Sequence, residues 1–376
     1  MSTAALPILS PSPSASADPA AAGWRPSPYL HVSDDRLYNP HADRTLLRGE
    51  PGYAALRHLL ESPAAEPELT SELRPLADAG WLVDGAEDLA RRYHLKYVSL
   101  EAHTVCNQSC YFCPVSVAPR ESHFMPTGTY ERIVGQIAEL GEPIEAVFMI
   151  SYNEPTLDSR FVDQVRAIRD AGLPPATLTN GTGLTPARID ALVVMGGLRF
   201  LSINLSTLDR GRYRQDRGGD HLRQVLRNLD YAKDRPVADD MHVVVLGTGD
   251  AAHRRDFAAM RERFAGSRFD VRYFEVNDRA GYLEIGLKAA GGGKRLCGCE
   301  HMGSRPLQHL HVNPYGQCLL CCQDYNETVV VGDLTRQSVR EVLAGDDFAR
   351  ARRWVYGLEE PPDAFICRNC KFALKG

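Results

Sequence analysis

Ten cysteines stand in this chain, and none precedes residue 106. Three of them, Cys106, Cys110 and Cys113, form a CxxxCxxC loop directly after a strand-like run at 97–102. Three thiolates on one short loop can hold three irons of a cubane and leave the fourth iron open to a ligand. A structural zinc site needs four closed ligands, so this loop falls one short unless His103 supplies the fourth. The other seven cysteines are Cys297, Cys299, Cys318, Cys321, Cys322, Cys367 and Cys370. Disulfide frameworks belong to much shorter secreted chains, whereas clustered cysteines in a cytosolic chain more often bind metal. A cytoplasmic metalloprotein is the expectation.

The elements that must position these thiols follow from periodicity. Apolar runs at 97–102, 146–151, 176–179, 200–205, 242–246 and 271–276 have strand length. Helical spacing occupies the intervals near 128–140, 159–171, 186–195, 221–233 and 254–264. Strands alternating with helices imply an α/β fold with a parallel sheet and right-handed crossovers. Six units are too few for an eight-fold barrel, so an open partial (β/α)6 TIM-like barrel is expected, with its site at the C-terminal strand ends. Beyond a Gly-rich linker at 289–299, "LQHLHV" and "QCLLCC" read as a β-hairpin. They are joined by Asn313-Pro314-Tyr315-Gly316, which suits a type I turn. A helix is expected near 337–355.

Residues 1–28 are rich in Ala, Pro and Ser and read as a disordered tail. Residues 29–92 read as a small α+β unit, either winged-helix-like or a cap on the main domain. The barrel should occupy 95–290 and the hairpin domain 291–376. The net charge of −5 provides no basic surface, so nucleic acid is not an expected partner. No run of 18 apolar residues suggests a membrane span, and the N-terminus lacks the features of a secretory signal.

The CxxxCxxC loop, with Phe112 just before its third cysteine and a strand just before the loop, resembles the radical S-adenosylmethionine (SAM) superfamily over roughly residues 95–290. The resemblance implies that Cys106, Cys110 and Cys113 hold a 4Fe–4S cluster whose open iron is chelated by SAM. It also implies one-electron cleavage of SAM to a 5′-deoxyadenosyl radical that takes hydrogen from a substrate carbon. "ISYNEPTLD" is similar to the family's GGEP motif, with Tyr152-Asn153 in place of the glycine pair. Glu154, followed by Pro155, would take the methionine ammonium. Ser202, Asn204 and Ser206 alternate on one strand face. By resemblance, Ser206 would contact the ribose and Arg217 the carboxylate of SAM.

"NPYGQCLLCCQDY" is similar to the hairpin of SPASM and twitch domains. That implies one auxiliary 4Fe–4S cluster on Cys299, Cys321, Cys367 and Cys370; four thiolates would equally suit zinc. The chain ends six residues after Cys370, which fits the twitch form better. If 318–322 is a strand, Cys318 and Cys322 share a face opposite Cys321. Either could donate hydrogen to a substrate radical, or both could simply be small buried hydrophobes. Asn277, Asp278 and Arg279 could face the substrate or cap the last strand.

The expected function is oxidation or epimerisation of a sugar or aminocyclitol carbon in natural-product (antibiotic) biosynthesis, with electrons from a flavodoxin or ferredoxin. The alternative is maturation of a ribosomally made precursor peptide, with 29–92 gripping its leader. An iron–sulfur electron carrier or zinc scaffold is a third reading, but it leaves Glu154 and Arg217 without a role.

Overall fold

The computed structural model describes residues 23–62, 68–286 and 295–376. The expected tail over 1–22 and residues 289–294 of the expected linker lie outside the described residues. The chain divides into two units, one of residues 23–27 with 49–88 and one of residues 28–48 with 89–376.

The smaller unit opens with β1 (Trp24–Pro26). The larger unit then takes β2 (His31–Val32), β3 (Arg36–Asn39) and β4 (Arg44–Leu47) as an antiparallel sheet. The smaller unit resumes with helices Tyr53–Glu61 and Arg74–Asp78 and closes with β5 (Leu82–Asp84), antiparallel to β1. Residues 24–26 fall within the segment expected to be a tail. They form a strand because their pairing partner lies far along the chain, where local composition cannot register it.

The six expected barrel strands are all present: β6 (Tyr97–Leu100), β7 (Ala146–Phe148), β8 (Pro175–Thr179), β9 (Leu198–Asn204), β10 (Ala238–Gly247) and β11 (Phe269–Glu275). They pair in parallel and in sequence order. Val98, Leu100, Val147, Leu201, Ile203, Val243 and Val245 are buried along them. Helices at Thr127–Glu139, Phe161–Asp170, Pro186–Val194, Leu222–Ala232 and Ala251–Arg263 alternate with the strands. The first buries Tyr130, Ile133, Val134 and Ile137, one stripe at helical spacing. A further short helix at Arg210–Arg217 escaped the periodicity reading, because its sequence RGRYRQDR has almost no apolar stripe.

The C-terminal region does not stand apart from this sheet. After β12 (Leu296–Cys299), β13 (His309–Val312) pairs in parallel with β6, while β14 (Gln317–Leu319) and β15 (Val330–Asp333) continue antiparallel. The result is one nine-stranded sheet. The expected hairpin turn is present, with the Gly316 N–H donating to the Asn313 carbonyl at 3.0 Å and Gly316 at φ 84°. β16 (Ala373–Lys375) pairs back onto β12. The helix expected near 337–355 is two, Val339–Leu343 and Asp346–Val355, separated at Gly345. A Cβ at that glycine would meet the Glu341 carbonyl oxygen at 2.8 Å. Among the described residues no helix is long and apolar enough to cross a membrane.

Arg352 is fully buried and fastens the last helix to the larger unit. Its guanidinium donates to the carbonyls of Pro306 (2.8 Å), Ala90 (2.9 Å) and Leu343 (2.8 Å). Replacing it strands three buried acceptors. Arg352→Met is therefore expected to destabilise the protein by about 3–5 kcal/mol, seen as a lowered denaturant midpoint. A midpoint equal to that of the parent chain would refute this role.

Candidate functional site

The CxxxCxxC loop follows β6, and its shape is set by the helix the sequence reading missed. The N–H groups of Ser109 and Tyr111 donate to the carbonyls of Arg217 (3.0 Å) and Asp216 (3.1 Å) at that helix's C-terminus. Gly218 ends the helix at φ 66°, and a Cβ there would stand 2.0 Å from the Ser109 hydroxyl. Glycine is thus required both for the left-handed cap and for the close approach. The docking brings several expected residues together. Arg217, 2% exposed, donates to Asn204 Oδ1 and Ser206 Oγ, both at 2.8 Å, and its Nη1 lies 3.8 Å from Cys110 Sγ. Its guanidinium sits 5.0 Å from the Phe112 ring centroid. No carboxylate is among these partners, and Arg217 Nε is a buried donor without an acceptor. A buried guanidinium with an idle donor is suited to an incoming carboxylate.

Glu154 follows β7 and is completely buried. Its Oε1 accepts from Thr156 Oγ1 and Thr179 Oγ1, both at 2.5 Å, and from the Thr156 N–H at 3.1 Å. Its Oε2 accepts only from the Asn180 N–H at 2.6 Å and keeps capacity for a further donor. Burial raises its pKa and the donors oppose that rise, so an added ammonium would settle the charge. Pro155, also buried, starts the short turn that aims this carboxylate. Thr179 and Asn180, at the end of β8, were not anticipated. Asn180 also donates to Asn107 Oδ1 at 2.8 Å, tying the loop after β8 to the cysteine loop. The Asn180-Gly181-Thr182-Gly183 run was the available signal. His103 is no cysteine partner: it is fully buried, and its Nδ1 accepts the Val105 N–H at 3.1 Å.

The C-terminal cysteines separate cleanly. Cys299, Cys321, Cys367 and Cys370 line one apolar cavity together with Arg305. Cys297 sits at the β-bulge between β12 and β16 and donates to the Arg295 carbonyl instead. The expected strand over 318–322 ends at Leu319, because the register with β15 shifts there and the Leu320 N–H turns to the Val329 carbonyl. Cys318 and Cys322 therefore do not share a strand face. Cys318 is fully buried within the hairpin and lines neither this cavity nor its neighbour.

The neighbouring cavity is polar. It is lined by Cys321 and Cys322, by Ser151 and Tyr152 of the loop that carries Glu154, and by Glu101, Arg120, His311, Asp324 and Glu327. Arg120 makes a two-pronged pair with Glu101 at 2.9 and 2.5 Å. The Tyr152 hydroxyl donates to the Cys322 carbonyl, linking the two motifs directly. Tyr152, standing where the family pattern has glycine, thus becomes a wall of this cavity. Arg279 is half-buried within electrostatic reach of Cys113 and Cys322, and its Nε is buried with no acceptor. Arg279 and Ala280 are both left-handed, at φ 53° and 55°, a conformation that costs non-glycine residues energy and often marks functional turns.

The donor set suits iron–sulfur clusters. Backbone N–H groups two residues downstream meet the sulfurs of Cys106, Cys113, Cys299, Cys321 and Cys370, from Gln108, Val115, His301, Gln323 and Phe372 respectively. Such N–H groups favour thiolates. Burial acts the other way, pushing the Cys106 thiol up to about 12 and the Cys370 thiol up to about 11. A bound metal centre resolves the conflict by displacing the protons. Adjacent sulfurs on a zinc ion would lie about 3.8 Å apart, given Zn–S near 2.3 Å. Among the described residues the one tightly gathered ligand group is His311, Cys321 and Cys322, within 4.8 Å of one another. That group shares Cys321 with the four-cysteine set, while Cys106, Cys110 and Cys113 offer one thiolate fewer than a structural zinc site takes.

Comparisons with known proteins agree. The chain is 24% identical over 279 residues to the S-adenosyl-L-methionine-dependent 2-deoxy-scyllo-inosamine dehydrogenase of Niallia circulans, covering 73% of this chain and 91% of that one. It is 30% identical to the GTP 3′,8-cyclase of Photorhabdus laumondii over 38% of this chain, and spans only 43% of that relative's length. Its fold resembles that of Streptococcus suis SuiB bound to precursor peptide SuiA, with TM-score 0.56, 12% identity, and coverage of 92% of this chain and 93% of that one. Residues 299–371 match the SPASM iron–sulfur cluster-binding domain. With residues 100–260 matching the Radical SAM superfamily model as well, this chain belongs to the radical SAM superfamily and carries a C-terminal SPASM-type iron–sulfur domain.

Proposed function

We propose that this protein is a cytoplasmic radical SAM dehydrogenase that oxidises a hydroxyl-bearing carbon of an aminocyclitol or amino sugar to a ketone, in natural-product biosynthesis. The observation that carries this reading is the polar cavity between the Glu154 loop and Cys321. Its lining includes three carboxylates, Glu101, Asp324 and Glu327, and one guanidinium, Arg120, which is already paired with Glu101. That balance favours a polyol bearing a protonated amine. The likeness to the Niallia dehydrogenase along most of that enzyme's length supports the same class of substrate.

Glu154 and Arg217 hold the ammonium and carboxylate of SAM, and Ser206 braces Arg217 beside them. Cys106, Cys110 and Cys113 would hold the cluster that, with SAM, supplies one-electron hydrogen abstraction, and Cys299, Cys321, Cys367 and Cys370 would hold an auxiliary cluster that supplies an acceptor for the second electron. The hydroxyl proton must also leave. Glu327 is placed to take it: burial raises its pKa, opposed by the Asn313 amide, which donates at 3.0 Å. A carboxylate raised in this way is a better base at neutral pH than an ordinary one. Of the two cysteines expected to be hydrogen donors, Cys322 lines the cavity and Cys318 does not. An external flavodoxin or ferredoxin is the fitting source of reducing electrons.

The deciding assay offers aminocyclitols, amino sugars and candidate precursor peptides separately to the reduced, reconstituted enzyme. An aminocyclitol or amino sugar should raise 5′-deoxyadenosine release and lose two hydrogens. Stimulation by peptide alone would replace this reading with a peptide maturase. A product of unchanged mass in ordinary water that takes up solvent deuterium in heavy water would make the enzyme an epimerase, with Cys322 as donor.

Two substitutions probe the roles above. Arg217→Lys should weaken SAM binding by about 10- to 100-fold in equilibrium dialysis, because a point charge replaces a fork-shaped donor. Glu327→Gln should slow ketone formation by about 100-fold or more while 5′-deoxyadenosine is still released. The parent rate should fall as pH drops through a value above the ordinary glutamate range, since the deprotonated base is the active form. A pH profile unchanged by Glu327→Gln would remove Glu327 from the mechanism.

A further inference from the structure

Arg305 is a buried cation whose partners are all uncharged. It is 7% exposed and lines the cavity formed by Cys299, Cys321, Cys367 and Cys370. Its Nε donates to His301 Nδ1 at 2.6 Å, its Nη1 to His309 Nδ1 at 2.8 Å and His311 Nε2 at 3.1 Å, and its Nη2 to Met302 Sδ at 3.2 Å. Among the described residues no carboxylate contacts it. Burying a guanidinium without an anion is costly, so a negative charge bound in the cavity would stabilise it. Thiolates around an iron–sulfur centre are such a charge. The backbone N–H of Arg305 already points at the Cys299 sulfur.

The same guanidinium fixes three imidazoles. Arginine can only donate, so each ring nitrogen that it meets is an acceptor and the opposite nitrogen carries the proton. His309 is thereby the Nε2–H form and donates to Ser99 Oγ at 2.9 Å. His311 is the Nδ1–H form, and that nitrogen is buried with no acceptor in the protein. His311, 3% exposed, stacks on His309 with centroids 4.0 Å apart, which prevents the ring from turning. One of its ring nitrogens lies within 4.8 Å of the sulfurs of Cys321 and Cys322.

We propose that Arg305 is the counter-cation of the auxiliary cluster and that, by fixing the imidazole tautomers, it makes His311 an N–H donor toward the Cys321–Cys322 sulfurs. Together the two residues set the cluster's reduction potential. The inference rests on the reading that Cys299, Cys321, Cys367 and Cys370 bind that cluster. A nearby positive charge and N–H···S hydrogen bonds both favour the more negative, reduced state, so both raise the potential. A cluster raised in this way is a better acceptor for an electron leaving the substrate. Arg305 and His311 are positioning residues here, since neither is a ligand.

The test uses the full chain with Cys106, Cys110 and Cys113 all changed to Ala, so that only the auxiliary site can load. Iron and sulfide are counted per chain, and the midpoint potential is followed by EPR. Arg305→Met should shift the midpoint to more negative values at equal iron content. Arg305→Lys, which restores charge without the fork, should recover part of the shift. His311→Phe should produce a smaller negative shift. Unchanged midpoints in loaded variants would overturn the proposal, as would loss of iron with no change of potential in the clusters that remain. If Arg305→Met fails to load, Arg305→Lys and His311→Phe decide the matter. Absence of any cluster in the triple-Ala background would overturn the auxiliary-site reading itself, and the proposal with it.

Discussion

The parallel pairing of β13 with β6 is the constraint on which the rest of the site depends. It sets His311 opposite Ser99 and Val312 opposite Leu100. The C-terminal iron–sulfur domain therefore continues the barrel sheet instead of hanging from it. Glu101 follows directly from β6, Tyr152 follows β7, and both reach one cavity with Cys321 and Cys322 from beyond β14. The distance between the SAM loop and the auxiliary cysteines is thus held by backbone hydrogen bonds of a sheet, a far stiffer spacer than a linker between domains. Radical chemistry needs that stiffness, because a misplaced substrate carbon leaves a reactive species to find another hydrogen donor.

Within this frame the buried guanidinium groups fall into two kinds. Arg120 is paired with the Glu101 carboxylate and Arg352 with three carbonyls, and each keeps one buried nitrogen without an acceptor. Arg217, Arg279 and Arg305 are not paired with any carboxylate among the described residues. One braces the CxxxCxxC loop, one stands within reach of both cysteine sets, and one borders the auxiliary cavity. Beside the cysteines, a bound group could bring the negative charge these cations lack.

The cysteines show the same complementarity. Burial alone keeps their protons on, yet backbone N–H groups are already aimed at five of the sulfurs. The loops place backbone donors where thiolates would accept them. Metal loading would be coupled to proton release.

Much of this was legible in the sequence. CxxxCxxC, Glu154 with Pro155, Arg217 beside a glycine, and six strands alternating with helices are local patterns, in which spacing along the chain translates directly into shared loops and faces. The sequence also pointed to Cys299, Cys321, Cys367 and Cys370 as a set. It could not show that β14 stops at Leu319, that Cys318 is packed out of reach, or that Cys322 turns to the polar cavity. Nor could it show that Thr179 and Asn180 hold Glu154, or that Arg305 forks into three histidines. Those facts depend on strand register and on contacts between segments far apart in the chain. A one-residue change of register reverses which face a side chain takes, and that choice is made by packing across the whole sheet, not by neighbours in sequence.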